Sequence, residues 1–156
     1  MKTERRTAIK KMFASTLGLA GLSIVAKAGS FEKKITDNVV DFQDRQRQPP
    51  LFPGHTKFGN LVFVSGKGAH VEPFTIENHT EIVLKSLEEE LIRAGSSMEK
   101  CLKATVYLND IADYDGMNAV YRGRFGANPP CRSTIAVAKG GVPGDSLVEI
   151  DVIAYI

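Results

Sequence analysis

The sequence has no tryptophan and few residues that bind metals. Its 156 residues contain two cysteines, three histidines and no C-x-x-C pair. Zinc sites and dithiol redox centres need such residues at short, fixed spacings, so we predict no metal. His55 and His70 lie in or beside turns, and His79 lies on a predicted helix with its side chain in solvent. We expect Cys101 and Cys131 to be free, mostly buried thiols. A disulfide between them in an oxidising compartment remains the alternative.

The sequence also lacks an apolar run long enough to span a bilayer. The longest uncharged stretch, Met12–Ala26, has 15 residues, and a spanning helix needs about 20. Basic residues precede this stretch and the small residues Ala26 and Ala28 end it, as in a secretory signal. We therefore predict that residues 1–28 are an export signal that is cleaved, and that the mature protein is periplasmic or secreted without stable membrane association.

Two consecutive arginines, Arg5 and Arg6, resemble the twin-arginine export signal. Ala8 stands where that signal usually has Phe, so the match is imperfect. An amphipathic helix or an uncleaved anchor is the alternative, and without a functional leader the protein would be cytoplasmic.

The net charge of +2 comes from the leader. The rest of the chain has 14 basic and 17 acidic residues, a net charge of −3. Proteins that bind nucleic acids neutralise phosphates with a basic surface. The sequence therefore predicts no nucleic-acid partner.

Composition indicates one globular domain after a polar arm. Hydrophobic residues make up 43% and charged residues 24% of the chain, as in ordinary globular domains. Residues 29–50 are polar and end in two prolines, which predicts a linker or an irregular arm. The folded domain is expected over residues 51–156.

The first half of this domain predicts two strands and a helix. The run "NLVFVSG" is rich in β-formers, and "SGKGAHVEP" indicates a turn into a second, weaker strand. In "TIENHTEIVLKSLEEELIRAG" apolar residues repeat at helical spacing. Thr75 can cap this helix and Gly95 can end it in a left-handed conformation.

The second half predicts strand, helix, strand and strand. "CLKATVYL" alternates, with Leu102, Ala104, Val106 and Leu108 on one face. Asn109-Asp110 opens a helix that places Tyr114, Met117, Tyr121 and Phe125 on one face. "RSTIAVA" and "LVEIDVIAYI" are the last strands. The order ββαβαββ predicts an α+β fold with two helices on one face of a sheet.

The opposite face of this sheet predicts oligomerisation. Two helices of about 15–20 residues cover one face only. The other face would carry Lys103, Tyr107, Ala136 and Ala138, half polar and half small. Such a face often forms a subunit contact.

Several polar residues occupy positions that favour apolar or inert side chains. Arg132 opens a strand after Pro129-Pro130, and Ser133 and Thr134 follow it. Glu149 lies in the most apolar segment, and Asn118 lies beside the apolar stripe of its helix. Each has an ordinary explanation: a surface arginine, a glutamate on a wet strand face, an asparagine that binds backbone.

Together these residues resemble the signature of the RidA/YjgF family of enamine/imine deaminases. "PPCRSTIAVAKGGVPGDSLVEI" resembles its arginine-to-glutamate stretch, and "FGNLVFVSGKG" its first hairpin. "AGSSMEKCLKATVYLND" is similar to its helix-to-strand junction, and "YDGMNAVYRGRF" to its second helix. The resemblance covers nearly all of residues 51–156.

The resemblance implies a chorismate-mutase-like mixed sheet, assembled as a homotrimer with sites between subunits. It implies hydrolysis of 2-iminopropanoate- or 2-iminobutanoate-like intermediates to 2-oxo acids and ammonia, with no cofactor or metal. By position, Arg132 would hold the substrate carboxylate and Glu149 would activate water. Asn118, Ser133 and Thr134 would line the site, as would Phe52.

Three departures leave the substrate open. Phe52 replaces a tyrosine of well-studied deaminases, Thr134 replaces a common cysteine and Lys67 replaces a glutamine. The alternative is a non-catalytic trimer of the same family that binds small carboxylates or acts as a chaperone. RNA cleavage, attributed to some relatives, is disfavoured by the charge.

Overall fold

The computed structural model describes residues 33–35 and 50–156. The predicted export signal, residues 1–28, lies outside this part of the chain, as does most of the arm. Within the described residues, no helix combines the length and the apolar character that crossing a membrane requires.

In the described part of the chain, six strands form one mixed sheet in the order β1-β2-β3-β6-β4-β5. All neighbours pair antiparallel except β4 and β5, which are parallel. The strands are β1 Lys34–Ile35, β2 His55–Phe58, β3 Leu61–Gly68, β4 Cys101–Leu108, β5 Cys131–Ala136 and β6 Val148–Tyr155. The short β1 belongs to the arm, which we predicted to be irregular, and adds to the outer edge of β2.

Two helices pack on one face of this sheet, as predicted. Helix α1 spans Ile76–Arg93 and α2 spans Tyr114–Tyr121. Thr75 caps α1 by accepting from the backbone N–H of Asn78, and Gly95 follows α1 with a φ of +79°. The fold is α+β, and the order within residues 51–156 is ββαβαββ as predicted, although the first of these strands is not one that we predicted.

Helix α2 is shorter than predicted because the chain first makes a 3₁₀ turn. Asp110 accepts from the N–H of Ala112 at 2.9 Å and caps the turn at Ile111–Asp113. Only 8 residues of α-helix follow. Phe125 lies beyond the helix, yet it is buried in the core.

The predicted weak strand after "NLVFVSG" is wrong. The partner of β3 is β2, which precedes it, and the chain reverses at Gly59 with a φ of +61°. Residues 69–75 lead into α1 without forming a strand. The sequence did not predict β2, because polar residues such as His55, Thr56 and Lys57 do not indicate a strand.

The core lies between the helices and the inner sheet face. The inner side chains of β3, β4 and β6 are buried against apolar residues of α1: Val83, Leu84, Leu87 and Leu91. The pairing of β4 with β6 shifts between Cys101 and Lys103. Cys101 therefore takes the inner position, and Leu102, predicted inside, is exposed.

The two cysteines are free, as expected, but they differ in environment. Cys101 is buried, and burial raises the pKa of its thiol to about 12. Cys131 is exposed, which corrects the expectation of two buried thiols. It begins β5 at the edge of the sheet, where no further strand among the described residues covers it.

The sheet face opposite the helices is open, and it carries Lys103 and Tyr107 as predicted. The prediction for Ala136 is wrong. Ala136 pairs with Leu108, an inner residue of β4, so both side chains point to the helix side. Ala138 lies beyond the end of β5.

His79 is buried, although we predicted it in solvent. Its Nε2 lies 3.0 Å from the carbonyl of Val71, and its Nδ1 accepts from the N–H of Leu147 at 3.1 Å. The ring therefore joins helix α1 to the segments before α1 and before β6.

Candidate functional site

Arg132 lies on the helix-covered side of the edge strand β5. It pairs with Ala104, whose side chain is in the core, so the two residues share a face. Its guanidinium carbon is 4.7 Å from the ring centre of Tyr121. One Nη donates to the hydroxyl of Tyr114 at 3.3 Å, and the other lies 4.0 Å from Sδ of Met117. Helix α2 therefore holds the arginine by stacking and weak polar contacts.

No carboxylate of the described chain pairs with Arg132. Stacking on an aromatic face favours a guanidinium but does not neutralise it. An arginine keeps its charge at any physiological pH and presents several N–H donors in one plane. The site is thus suited to bind an anion.

Arg132 opens onto a cavity of about 220 Å³. Asn118, the predicted site residue of α2, lines the same cavity. The structure therefore brings together two of the predicted residues. The cavity is lined by Asn118, Tyr121, Arg122, Gly123, Phe125, Pro129 and Arg132. Burial raises the pKa of Tyr121 to about 12, although the charge of Arg132 opposes this shift.

Glu149 lies on the opposite, open face of the sheet. It pairs with Tyr107 of β4, and Tyr107 and Ala104 are three residues apart, so their side chains point to opposite faces. Glu149 lines a separate cavity of about 170 Å³ with Tyr107 and Asp151. The negative charge of Asp151 raises the pKa of Tyr107, and burial and Glu149 add to this shift.

The backbone beside Glu149 is closely packed because Gly66 has no side chain. A Cβ added at Gly66 would overlap the Glu149 carboxylate, with the nearest oxygen 2.2 Å away. The β3 segment that follows Ser65 thus forms one wall beside this carboxylate.

The remaining predicted residues are divided between the two faces. Thr134 pairs with Val106 and shares the side of Arg132; its buried Oγ1 has no hydrogen-bond partner among the residues that the structure describes. Ser133 points to the open face, where its hydroxyl accepts from Nζ of Lys103 at 2.6 Å. Phe52 precedes β2, near the other edge of the sheet, and its side chain is 68% exposed.

One chain therefore does not assemble the predicted site. Arg132 and Asn118 form one half of it. Glu149 and Ser133 lie on the opposite face of the sheet. Phe52 lies near the far edge, separated from β5 by the strands β3, β6 and β4. A substrate that touches Arg132 and Glu149 together needs two copies of the chain.

Sequence analysis missed a cluster of charge around Glu90. The carboxylate is buried and receives hydrogen bonds from His55 at 2.7 Å, Lys67 at 3.0 Å and Arg93 at 2.7 Å. Burial alone would raise the pKa of Glu90, but these contacts outweigh it and hold the pKa at about 2. The helical spacing of Leu87, Glu90 and Leu91 could have indicated that Glu90 lies on the buried face of the helix. Glu90 ends a run of three glutamates, which is typical of a solvated face and concealed this pattern.

Comparisons with known proteins agree with this architecture. The sequence pattern of the family described as Endoribonuclease L-PSP matches residues 52–156. A RutC family protein of Pyrococcus abyssi is 36% identical over 106 residues, which cover 64% of this chain and 81% of that protein. The chloroplastic Reactive Intermediate Deaminase A of Arabidopsis thaliana is 37% identical over 107 residues, covering 64% of this chain and 56% of that protein.

Solved structures show the same fold. RidA from an Antarctic Psychrobacter superposes with a TM-score of 0.63 at 26% identity, covering 70% of this chain and 92% of that one. Yeast Mmf1 gives 0.64 at 27% identity, covering 69% and 89%. The match over two thirds of the sequence and the shared fold show that the chain belongs to the L-PSP family, also known as the RidA/YjgF family.

Proposed function

We propose that the protein hydrolyses reactive 2-imino acids, the tautomers of enamines, to 2-oxo acids and ammonia. The observation that supports this proposal most is the half-buried guanidinium of Arg132, which is stacked on Tyr121 and has no acidic partner within the described chain. A substrate carboxylate is the group that such a guanidinium binds through two parallel hydrogen bonds.

The chemistry needs only placement and proton transfer. Water adds to the imine carbon, forming a C–O bond while the C=N bond becomes single. Glu149 takes a proton from this water and returns one to nitrogen, which gives a carbinolamine. The hydroxyl proton of this intermediate then passes through Glu149 to the nitrogen, and the C–O bond becomes double as the C–N bond breaks and ammonia leaves. Proton transfer by a positioned carboxylate contributes about 10²- to 10⁴-fold in rate. Asn118, Ser133, Thr134 and Phe52 line the same site.

The site forms between copies in a homotrimer. In this proposal Arg132 of one copy faces Glu149 of its neighbour. Support comes from the single chain, in which the two residues lie on opposite faces of the sheet and do not share one site. The open face, with Phe63 and Ile135 partly exposed, provides the apolar contact. Light scattering at micromolar concentration tests the assembly, and a monomer would contradict the shared site.

The activity is tested by ammonia release from freshly generated 2-iminopropanoate and 2-iminobutanoate with the full-length protein. Arg132→Ala and Glu149→Gln should each lower the enzymatic rate strongly. Arg124→Gln is the control, because Arg124 pairs with Glu81. A wild-type protein that binds 2-oxobutanoate but releases no ammonia would establish the carboxylate-binding alternative instead.

Mixing the two inactive variants separates a shared site from a site within one chain. In randomly mixed trimers, about a quarter of the interfaces combine an intact Arg132 with an intact Glu149. Co-expression should therefore restore about a quarter of the activity. No recovery in mixed trimers, verified by mass spectrometry, would contradict the shared site.

A further inference from the structure

A second arginine lines the cavity of Arg132. Arg122 directly follows α2, and its backbone N–H donates to the carbonyl of Asn118 at 3.1 Å. Gly123, with a φ of +79°, then turns the chain, and Arg122 is among the residues that line the cavity. Two arginines and an asparagine thus line one small space.

The neighbouring arginines of this segment differ in their partners. Arg124 pairs with the Glu81 carboxylate, which also pairs with Lys85. Neither Arg122 nor Arg132 forms an ion pair with any described residue. Two arginines without an ion-pair partner among the described residues therefore line this cavity, in a chain whose residues 29–156 have a net charge of −3.

We propose that this cavity binds a dianionic substrate, a 2-imino acid with a second carboxylate on its side chain. Arg132 binds the carboxylate next to the imine, Arg122 binds the distal carboxylate and Asn118 donates between them. The part of the site within one chain, a cavity of about 220 Å³, is smaller than the roughly 300–1,000 Å³ of pockets for drug-sized ligands, which favours a short diacid. The imine group of this substrate rests on the proposed function. The two anionic groups do not depend on it.

The reaction product gives a stable probe for this selectivity. 2-Oxoglutarate and 2-oxopentanoate share a five-carbon chain and differ only in the distal carboxylate. We expect the wild-type protein to bind 2-oxoglutarate about tenfold more tightly, the effect of one charge-assisted hydrogen bond. Titration calorimetry measures both Kd values, and added salt should reduce their ratio because the distal contact is exposed.

Variants of Arg122 and Arg124 test which arginine causes the preference for 2-oxoglutarate. Arg122→Gln should bring the ratio of Kd values to about one without weakening 2-oxopentanoate, and Arg122→Lys should restore part of it. Arg124→Gln is the matched control and should leave both Kd values unchanged. Equal affinity of the wild-type protein for the two acids, or an unchanged ratio in Arg122→Gln, would overturn the proposal.

Failure of this inference is distinguishable from failure of the proposed function. Hydrolysis of monocarboxylic imines by a protein without preference for diacids would reject the role of Arg122 alone. Tight diacid binding that depends on Arg122, without ammonia release from any imine, would reject the hydrolase and retain the dianion site.

Discussion

Two groups of charge lie on the helix-covered side of the sheet, near opposite edges, and they are compensated differently. Around Glu90 a carboxylate that is 1% exposed meets Lys67, Arg93 and the Nδ1–H of His55. At the other edge Arg132 meets aromatic rings and a thioether, and no carboxylate of the described chain.

The difference indicates which cluster stabilises the fold and which binds a ligand. A buried charge is tolerated only when other groups of the protein compensate it. The Glu90 cluster meets this condition within one chain, and it joins β2, β3 and α1. Arg132 has lost part of its hydration without gaining a counterion among the described residues, so we propose that an anion from outside completes its environment.

Removing the arginine should have the largest effect, and the effect should fall on activity. Arg132→Ala should lower kcat/KM for 2-iminobutanoate by a factor on the order of 30 or more, because losing a charge-assisted contact to substrate costs about 2–5 kcal/mol. Arg132→Lys should also be poor, since an ammonium does not make the paired contact. Full activity of Arg132→Ala would refute the mechanism, and an unfolded Arg132→Ala would assign the arginine to stability.

Removing the charge of Glu90 should instead affect stability. Glu90→Gln leaves Lys67 and Arg93 without their counterion and should lower the free energy of unfolding by about 3 kcal/mol. We take the lower end of the usual range because the side chain of Arg93 is 52% exposed. Urea unfolding measures the change. A loss of activity without a loss of stability would place Glu90 in the site.

Low pH should destabilise the protein through the cluster around Glu90. The pKa of Glu90 falls from an ordinary value of 4.5 to about 2 on folding. A lowered pKa in the folded state stabilises the protein above pH 4.5, and this contribution disappears as the pH falls towards 2. The wild type should therefore lose more stability than Glu90→Gln between pH 5 and pH 2. Parallel losses in urea titrations at these pH values would exclude this linkage.

The smallest change is expected at the ring below Arg132. The hydroxyl of Tyr121 is buried and has no hydrogen-bond partner among the described residues. Tyr121→Phe keeps the ring and removes this unsatisfied group, so it should stabilise the protein by about 1 kcal/mol and leave activity unchanged. Loss of activity would show that the hydroxyl itself takes part, and Tyr121→Leu tests the stacking.

The sequence predicted those elements whose local pattern agrees with their burial. Helix α1 with Thr75 and Gly95 at its ends is one case, and strand β4 from Lys103 onwards is another. Strand β2 was missed because the burial of His55 depends on Glu90, which is 35 residues away. No local pattern reports such a partner. The face of Ala136 was mispredicted because only the pairing of β5 with β4 fixes which residues point inwards.

For the candidate site, the sequence by itself determined the residue types: an arginine after two prolines, a glutamate in an apolar strand and an asparagine beside a helical stripe. Tertiary structure decided where they meet. Alternation along β5 and β6, combined with the pairing of both strands to β4, sends Arg132 and Glu149 to opposite faces. The tertiary fold alone also brought Arg122 and Arg132 to the lining of one cavity, because the turn after α2 returns the chain to the edge of the sheet. Residue spacing along the chain predicts neither of these two arrangements, since both depend on hydrogen bonds between distant segments.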